Sequence, residues 1–416
     1  MARTLMRNIV PVTKSCRVCH SGRLVRVLSL GNQYVSDFVT AAGRSPRSPL
    51  DLVRCRECGL VQLDHTFPRD SLYRRYWYKS GISESMRNAL KDVVVQACNT
   101  IPVQSGNIVL DIGCNDGTLL RQYGVPGLRL IGFEPARNLV KEARKGTEFI
   151  FNDFFSFEAF RRKFGESRAV IMTSIAMFYD LDDPNSFVDD VAKTLDPNGI
   201  WVIQQNYLPA MLKNNGFDNI GHEHLTYFSL RTLTRLMNNH GMKIFHVETN
   251  EANGGSFRAY ICHGERFPIR ESVRAMTKYE HRIFERKPSI YKSFARNIRE
   301  IRVRLRRFIT YEVKAGKRVY VYGASTRGNT ILQYCGLDYR LIKKATDANP
   351  EKWGRKTVGT LIPIVSKEEA RRDRPDYFLI LPHHFLQEIA AAEAEYLERG
   401  GKFIVPLPNF RILSRR

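Results

Sequence analysis

Apolar runs alternate with amphipathic stretches through the middle of the chain, between residues 107 and 265. Four of these runs are short and rich in branched and aromatic residues, as buried strands are. They are NIVLDIG, LRLIGFEP, AVIMTSI and GIWVIQQN. Strands that alternate with helices indicate an α/β domain with a parallel sheet.

The pattern differs on both sides of this region. Before it, a turn-rich segment with short strands is followed by an aromatic cluster, YRRYWYKSG, and a helical pattern. After it, a polar helical stretch leads into a second α/β pattern, from RVYVYGAS to KFIVPLP. We therefore expect four parts: an N-terminal module (1–70), a central α/β domain (71–265, with a helical and aromatic lead-in at 71–105), a helical linker (266–314) and a C-terminal Rossmann-like domain (315–416).

Length and composition fit this division. At 416 residues the chain is too long for one ordinary core, and its 43% hydrophobic residues are typical of globular proteins. No apolar run approaches the roughly 20 residues of a membrane helix, and the first residues lack the apolar core of a signal peptide. We expect a folded, cytoplasmic protein without a membrane anchor.

The charge balance is strongly basic, with 65 Lys and Arg against 42 Asp and Glu and a formal net charge of +23. Such an excess attracts phosphate-bearing ligands, nucleic acids and nucleotide-sugars alike. Much of it lies in helical stretches such as RNIREIRVRLRRF at 296–308, where a solvated helix face also explains it. Charge alone therefore identifies no partner.

Four of the eight cysteines form two Cys-x-x-Cys pairs, which offer four thiolates to one tetrahedral zinc ion. They are Cys16, Cys19, Cys55 and Cys58. Four sulfurs fill the coordination shell of zinc, so the predicted ion is structural. Four unrelated thiols, or redox pairs, are the alternatives.

A glycine-bearing turn follows the first central strand, and a helix is expected to begin near Leu119. Glycines let the backbone approach a ligand, and ligands of such sheets bind at the carboxyl ends of the strands. The candidate residues here are Asp111, Gly113, Asn115, Asp116 and Gly117. The turn is neither Gly-x-Gly-x-x-Gly nor a triphosphate loop, which disfavours dinucleotides and ATP.

Polar residues also end the next two strands. Glu134 follows the second strand, where a carboxylate can accept hydrogen bonds from both ribose hydroxyls. Asn152 and Asp153 end the third strand and offer polar groups to an adenine. In this order the elements resemble a class I methyltransferase that uses S-adenosylmethionine (SAM). Taken singly, Asp111 or Glu134 could equally be a turn or capping residue.

Two imidazoles and a carboxylate lie together in the segment DNIGHEHLTYF: His222, Glu223 and His224. The spacing is not His-Glu-x-x-His, which disfavours a catalytic metal. A histidine near neutral pH serves as a general base. From the residues alone, a structural His-Glu pair is an equal alternative.

The motifs together resemble the sugar C-methyltransferases, such as the tetronitrose and mycarose 3-C-methyltransferases, over nearly the whole chain. The matching motifs are the cysteine pairs, DIGCNDGTLL, GFEP, GHEHLTYFSL, NGGSFR and VYVYGASTRG. The resemblance implies a zinc-binding N-terminal module, a class I SAM-methyltransferase domain and a second Rossmann-like domain that helps to hold a nucleotide-sugar. It also implies SAM and structural zinc as cofactors, and a monomer or homodimer.

The resemblance assigns roles to residues in this chain. His224 would remove the proton on carbon 3 of a 4-keto-6-deoxysugar, with Glu223 positioning it and with His222 and Tyr76 in the same catalytic set. The remaining matches would bind the substrate: Tyr78, Ser80, Asn253, Gly254, Ser256, Arg258, Gly323, Ser325, Arg327 and Asp347. Packing around the zinc module is the alternative for the tyrosines, an ion pair within the sheet for Arg258 and a helix cap for Asp347.

Two departures bear on the chemistry. The family's carbon methylators typically have Tyr where this chain has Gly221, and a His in the loop that here contains Phe178. Both groups handle an enolate. Transfer to oxygen or nitrogen of a small metabolite is therefore an alternative, and a nucleic-acid-modifying zinc protein or a non-catalytic scaffold are others.

Overall fold

The computed structural model describes residues 11–40, 45–285 and 289–415, without the side chain of Asn253. The N-terminal part forms an antiparallel sheet in which Leu50, Leu52 and Leu63 are buried. Its elements are β1 (Leu24–Tyr34), β2 (Phe38–Val39), β3 (Arg47–Cys55), β4 (Val61–Leu63) and the helix α1 (Arg69–Tyr73).

The central part forms a seven-stranded sheet with helices on both faces. Its elements are α2 (Glu84–Thr100), β5 (Ile108–Ile112), β6 (Arg129–Phe133), α3 (Val140–Ala143), β7 (Phe149–Phe151), α4 (Phe157–Phe164), β8 (Ala169–Ile175), α5 (Pro184–Thr194), β9 (Leu195–Asn206), α6 (Leu208–Lys213), β10 (Thr226–Tyr227), α7 (Leu230–Asn239), β11 (Met242–Asn250) and β12 (Ser256–His263). The sheet order is β11-β12-β9-β8-β5-β6-β7, and β12 is antiparallel to both neighbours. The strand order reverses between β5 and β8, which places a ligand crevice at their carboxyl ends.

The four central strands predicted from the sequence are confirmed as β5, β6, β8 and β9. The helix predicted near Leu119 is wrong: only a 3₁₀ turn, Leu120–Gln122, forms there. Gly124 and Pro126 follow almost at once, and neither continues a helix easily. The polypeptide therefore reaches β6 without a crossover helix.

Two long helices lead into a second α/β sheet, as the polar helical stretch predicts. The elements are α8 (Glu271–Phe284), α9 (Ile290–Lys314), β13 (Val319–Tyr322), α10 (Thr326–Cys335), β14 (Ala345–Thr346), β15 (Lys356–Thr357), β16 (Ile364–Val365), α11 (Lys367–Arg372), β17 (Tyr377–Ile380), α12 (Leu386–Ala392), α13 (Ala394–Glu398), β18 (Lys402–Val405) and β19 (Arg411–Leu413). The sheet order is β16-β14-β13-β17-β18-β19, with β19 antiparallel. Among the described residues, no helix is both long and apolar enough to cross a membrane.

The three parts are joined by shared strands and a shared core. The central strand β10 pairs with β4 of the N-terminal sheet, and β15 pairs with β2. Ile298 and Leu305 on the buried face of α9 belong to one apolar cluster with Leu52 and Ile331. Because these contacts fix the parts against one another, a cavity between them can have a defined shape.

Candidate functional site

The four cysteines of the paired motifs converge at one point. Their four Sγ atoms all lie within 4.8 Å of one another. The Cys16 and Cys58 sulfurs are 3.4 Å apart, and those of Cys19 and Cys55 are 3.6 Å apart. A tetrahedral zinc ion with Zn–S bonds of about 2.3 Å spaces its sulfurs by roughly 3.8 Å. The donor set therefore fits zinc and leaves no coordination position for a substrate.

A buried arginine ties this zinc centre to the central domain. Arg17 lies inside the first cysteine pair, and its Nη1 donates to the carbonyl of Leu63 at 2.7 Å. Its Nε donates to Asp182 at 3.2 Å, and Asn185 donates back to the Arg17 carbonyl at 2.7 Å. The zinc centre thus holds the loop that follows β8.

A cavity of about 1230 Å³ opens between the three parts of the chain. Its lining includes Asp111, Gly113 and Glu134 from the carboxyl edge of the central sheet, a part we call the donor end. Glu223 and His224 line the same cavity. One continuous space therefore connects the predicted donor site with the His-Glu-His segment.

Two buried carboxyls mark the donor end. Asp111 accepts a hydrogen bond of 2.6 Å from the Thr173 hydroxyl, and burial raises the pKa of Asp111 to about 7. Glu134 accepts from the amides of Asn115 and Ala136 at 2.7 and 2.8 Å, and burial raises its pKa to about 7 as well. A cation and hydroxyl donors would stabilise the ionised forms, so this end suits the sulfonium and ribose of SAM.

The glycine turn positions the aromatic lead-in. Gly113 has φ +73°, and a Cβ there would lie 3.1 Å from the Met177 side chain. The side chains of Asn115 and Asp116 then accept hydrogen bonds from the lead-in backbone. Ser80 N donates to Asn115 Oδ1 at 3.0 Å, and Gly81 N donates to Asp116 Oδ2 at 2.8 Å. Asn115 lines the cavity, whereas Asp116 lies outside it and holds the backbone at Gly81.

The other predicted donor-site residues divide in the same way. Asp153 lines the cavity and pairs with Arg74 at 3.1 Å. Asn152 lies outside the wall, and its amide donates to the Glu134 carbonyl at 2.9 Å. Gly117 is also outside, with φ +77° and the Ala143 carbonyl 2.9 Å from where a Cβ would lie. These last two shape the site without facing it.

His224 and Glu223 face the cavity. The His224 Nδ1 donates to the Asn219 carbonyl at 2.6 Å, and the Tyr179 ring meets the imidazole edge-on at 4.6 Å. Burial lowers the pKa of His224 to about 4 and raises that of Glu223 to about 7. The imidazole is therefore neutral near pH 7, with its lone pair on Nε2.

His222 faces the other way. It is buried against β3, where its Nε2 donates to the Ser48 carbonyl at 3.1 Å, and it does not line the cavity. A turn closed by His224 N donating to the Gly221 carbonyl at 3.0 Å separates the two imidazoles. This geometry favours a structural role for His222 over the catalytic role predicted from the sequence.

The aromatic lead-in supplies one wall of the cavity. Tyr76, Tyr78 and Ser80 all line it. Burial raises the pKa of the Tyr76 phenol well above its usual value, so this group stays protonated at neutral pH. It can donate a hydrogen bond to an oxygen in the cavity.

The C-terminal domain supplies another wall. Ser325 caps α10 by accepting from Gly328 N at 3.0 Å, and Arg327 donates to Asp218 Oδ2 at 2.6 Å; both line the cavity. Gly323 and Asp347 lie outside it. Asp347 accepts from the Lys352 ammonium at 2.9 Å, which favours a local structural role.

The substrate-loop motif is mostly structural. Ser256 lines the cavity, whereas Gly254 does not, and the side chain of Asn253 lies outside what the structure describes. Arg258 is buried in the sheet and pairs with Asp92 at 2.8 Å and Glu248 at 3.3 Å. This is the ion-pair alternative, and Arg258 does not line the cavity.

Sequence reasoning did not assign several acidic residues that line the cavity, Asp180 and Asp218 among them. Asp180, just after β8, lines the cavity. Asp218 is buried there between Arg327 and His383, which hold the pKa of its carboxyl well below its usual range although burial alone would raise it. The position of Asp180 past the end of a central strand was the available signal; Asp218 had none, because its partners lie in another domain.

Three known families match successive parts of the chain. A zinc binding domain family matches residues 16–73, a methyltransferase domain family matches 83–247, and a C-methyltransferase C-terminal domain family matches 251–408. Fold and site thus define a SAM-dependent methyltransferase with a zinc centre.

A curated relative extends the match to the whole chain. The C-methyltransferase NovU of Streptomyces niveus is 33% identical over 417 aligned residues, which cover 98% of this chain and 99% of that protein. The chain belongs to the C-methyltransferase family.

Solved structures match part of the chain. The N-methyltransferase NodS from Bradyrhizobium japonicum is 14% identical, covers 43% of this chain and 96% of that one, and has a TM-score of 0.33. The plantazolicin methyltransferase BpumL in complex with SAH is 12% identical, covers 43% and 84% respectively, and has a TM-score of 0.34.

Proposed function

We propose that this methyltransferase acts in the cytoplasm and transfers a methyl group from SAM to carbon 3 of a nucleotide-linked 4-keto-6-deoxysugar. One observation carries the proposal: a single cavity runs from Asp111 and Glu134 at the sheet edge to Glu223 and His224. A donor and an acceptor can therefore meet in a space that is walled off by three domains.

The donor end is assigned to residues at the strand termini. Glu134 would accept from the ribose hydroxyls, and Asp111 would lie near the positive charge of the donor. Gly113 and Asp153 complete the wall at this end. When bound there, SAM supplies an electrophilic methyl group.

His224 is assigned as the general base. Its Nδ1 proton is held by the Asn219 carbonyl, so Nε2 offers the lone pair that takes the proton from carbon 3. The resulting enolate needs stabilisation of its oxygen. The Tyr76 phenol and the Glu223 carboxyl, which burial keeps protonated below about pH 7, are suitable donors that line the same cavity.

The C-terminal domain is assigned to the nucleotide. Ser325 and Arg327 lie at the first turn of α10, where backbone amides and a guanidinium attract a diphosphate. Tyr78 and Ser80 line the same cavity. The net charge of +23 favours the approach of such an anion.

Transfer to oxygen or nitrogen is the second candidate, and two positions favour it. Phe178, where the carbon methylators have His, is fully buried against Trp201 and Phe228. Gly221, where they have Tyr, faces open space, since a Cβ there would meet no other described residue beyond its chain neighbours within 4 Å. Neither supplies an enolate-handling group, which oxygen or nitrogen transfer would not need.

The two candidates separate in one experiment. The protein is incubated with methyl-labelled SAM and a panel of nucleotide-linked deoxysugars, both 4-keto sugars and their reduced counterparts, and NMR locates the methyl group. The proposal expects a new carbon–carbon bond at carbon 3 of a ketosugar. A methyl group on a hydroxyl of a reduced sugar, with no reaction of the ketosugars, would refute it.

A further inference from the structure

Asp180 is a cavity carboxyl held in place by its neighbours in the chain. It ends a 3₁₀ turn, Phe178–Asp180, in which Asp180 N donates to the Met177 carbonyl at 3.0 Å. Phe178 anchors this turn in the core, and the Tyr179 carbonyl accepts from the Thr226 hydroxyl at 3.0 Å. The carboxyl therefore has a fixed position on the cavity wall.

One oxygen of this carboxyl is unusual. Asp180 Oδ1 is sealed from water and has no hydrogen-bond partner among the described residues. A carboxyl with a purely structural role normally has partners for its buried oxygens, because burying a polar atom without a hydrogen bond is costly. The rest of the residue is partly accessible and lines the cavity.

The surroundings of Asp180 favour its neutral form. Burial raises the pKa of the carboxyl well above its usual value, and the nearby Glu223 carboxyl raises it further. Tyr76 and His224 line the same cavity, and Tyr179 of the same turn packs on the His224 ring. A protonated acid thus lines the same cavity as the assigned base.

We propose that Asp180 is a catalytic acid whose carboxyl O–H donates a hydrogen bond to the ketone oxygen of the acceptor. The inference rests on the proposed function. Its place on the wall of the cavity that Glu223 and His224 also line, in the turn whose Tyr179 ring packs on His224, supports it. In this chain Asp180 would supply the enolate stabilisation that Phe178 and Gly221 do not.

The step balances without a further reactant. His224 Nε2 takes the proton from carbon 3, and the electrons of that C–H bond move into the bond to carbon 4 and onto the ketone oxygen. Asp180 holds the negative oxygen through its O–H and keeps its proton. The electrons then return, a carbon–carbon bond forms to the methyl group, the sulfur–carbon bond breaks, and its electron pair stays on sulfur.

Hydrogen exchange measures the removal of the proton on carbon 3 separately from methyl transfer. Each protein, with S-adenosylhomocysteine (SAH) bound, is incubated in D₂O with 4-keto-6-deoxyhexoses linked to thymidine, uridine or guanosine diphosphate. NMR then measures the loss of the proton on carbon 3, and methyl transfer is measured separately with SAM. SAH affinity and melting temperature report folding.

Three variants are compared with the wild type. We expect D180A to slow both exchange and methyl transfer by about 10²- to 10³-fold, as the loss of one oxyanion donor does, with SAH affinity unchanged. D180N keeps an N–H donor in the same shape and should be distinctly faster than D180A. D189N, which removes an exposed carboxyl outside the cavity, should match the wild type.

The outcomes distinguish the two proposals. Exchange by D180A at the wild-type rate would overturn the role of Asp180 and leave the proposed function standing. If D180N and D180A lost exchange and methyl transfer to the same extent, the role of Asp180 as a neutral hydrogen-bond donor would be overturned. If the wild type binds SAH but exchanges no ketosugar, the proposed function fails and this inference fails with it.

Discussion

The Nδ1 of His224 donates a hydrogen bond of 2.6 Å to the backbone carbonyl of Asn219. A carbonyl can only accept, so the bond fixes the tautomer and leaves the lone pair on Nε2. The Asn219 side chain accepts from Asn206 at 3.0 Å, and the preceding Asp218 is bound by Arg327 of the C-terminal domain. The orientation of the assigned base therefore depends on two domains.

Replacing the base should lower turnover without weakening binding of the methyl donor. We expect H224A to lower kcat by about 10²- to 10⁴-fold, the usual contribution of a general base, while SAH affinity stays within about twofold. Rate assays with SAM and calorimetric titration with SAH measure the two effects. Turnover at the wild-type rate would remove His224 as the base.

The neighbouring histidine provides a matched control. His222 lies against Ser48 outside the cavity, so H222N should lower the melting temperature and leave the kcat of the folded enzyme near that of wild type. If H222N lost turnover as severely as H224A, the assignment of separate roles would be wrong.

The donor end should show a charge-dependent affinity. Asp111 and Glu134 have pKa values of about 7, above their ordinary values of 3.8 and 4.5, so the folded chain binds more protons than the unfolded chain between about pH 4 and 7. Their contribution to the free energy of unfolding is present at low pH and is lost as pH rises through 7. A positively charged ligand offsets this loss of stability because it stabilises the ionised carboxyls.

Titration with two related ligands tests this point. SAM carries a positive sulfur and SAH does not, so the ratio of their affinities should increase by about tenfold for one coupled group between pH 6 and 8. D111N should flatten that dependence. A ratio independent of pH would place the sulfur away from these carboxyls.

The buried pair between Asp218 and Arg327 should be costly to break. Both side chains are largely buried, so D218N removes a buried ion pair, at about 3 to 5 kcal/mol in the free energy of unfolding. D218N should also lower kcat, because Asn219 and His224 follow in the same segment. The exposed pair of Arg129 and Glu148 is the control, where R129A should cost less than about 1 kcal/mol by chemical denaturation. Equal costs for the two pairs would contradict the role given to Asp218.

The sequence predicts the strands and the zinc ligands well because each depends on local patterns. Apolar runs identify β5 and β8, and the spacing of Cys16 and Cys19 identifies a metal-binding cysteine pair. Directions of side chains depend on tertiary contacts instead. Two positions apart, His222 and His224 would share a face in a strand, but the turn closed at Gly221 separates them.

Other differences have the same origin. Arg258 follows a glycine pair in a substrate-loop motif, yet its partners Asp92 and Glu248 come from distant elements and draw it into the sheet. Asp116 braces the backbone at Gly81 instead of lining the cavity. Partners that are remote in sequence decided each of these positions.

Loss of zinc should weaken the donor site as well as the N-terminal module. We expect C55S to lose the ion, to melt at a lower temperature and to bind SAH more weakly. The reason is that Arg17, within the first cysteine pair, hydrogen-bonds to Asp182 in the loop after β8. C98S, outside the cluster, should keep one zinc per chain. Metal analysis with SAH titration measures both, and a C55S protein with full zinc content would contradict the assigned ligands.

The structure of the complex with SAH tests the central claim most directly. We predict that the adenosine lies beside Glu134, with the sulfur at the carboxyl end of β5 and facing His224 Nε2 across space for one sugar ring. Electron density that places SAH elsewhere, or side chains that close the cavity between the sulfur and His224, would contradict the account.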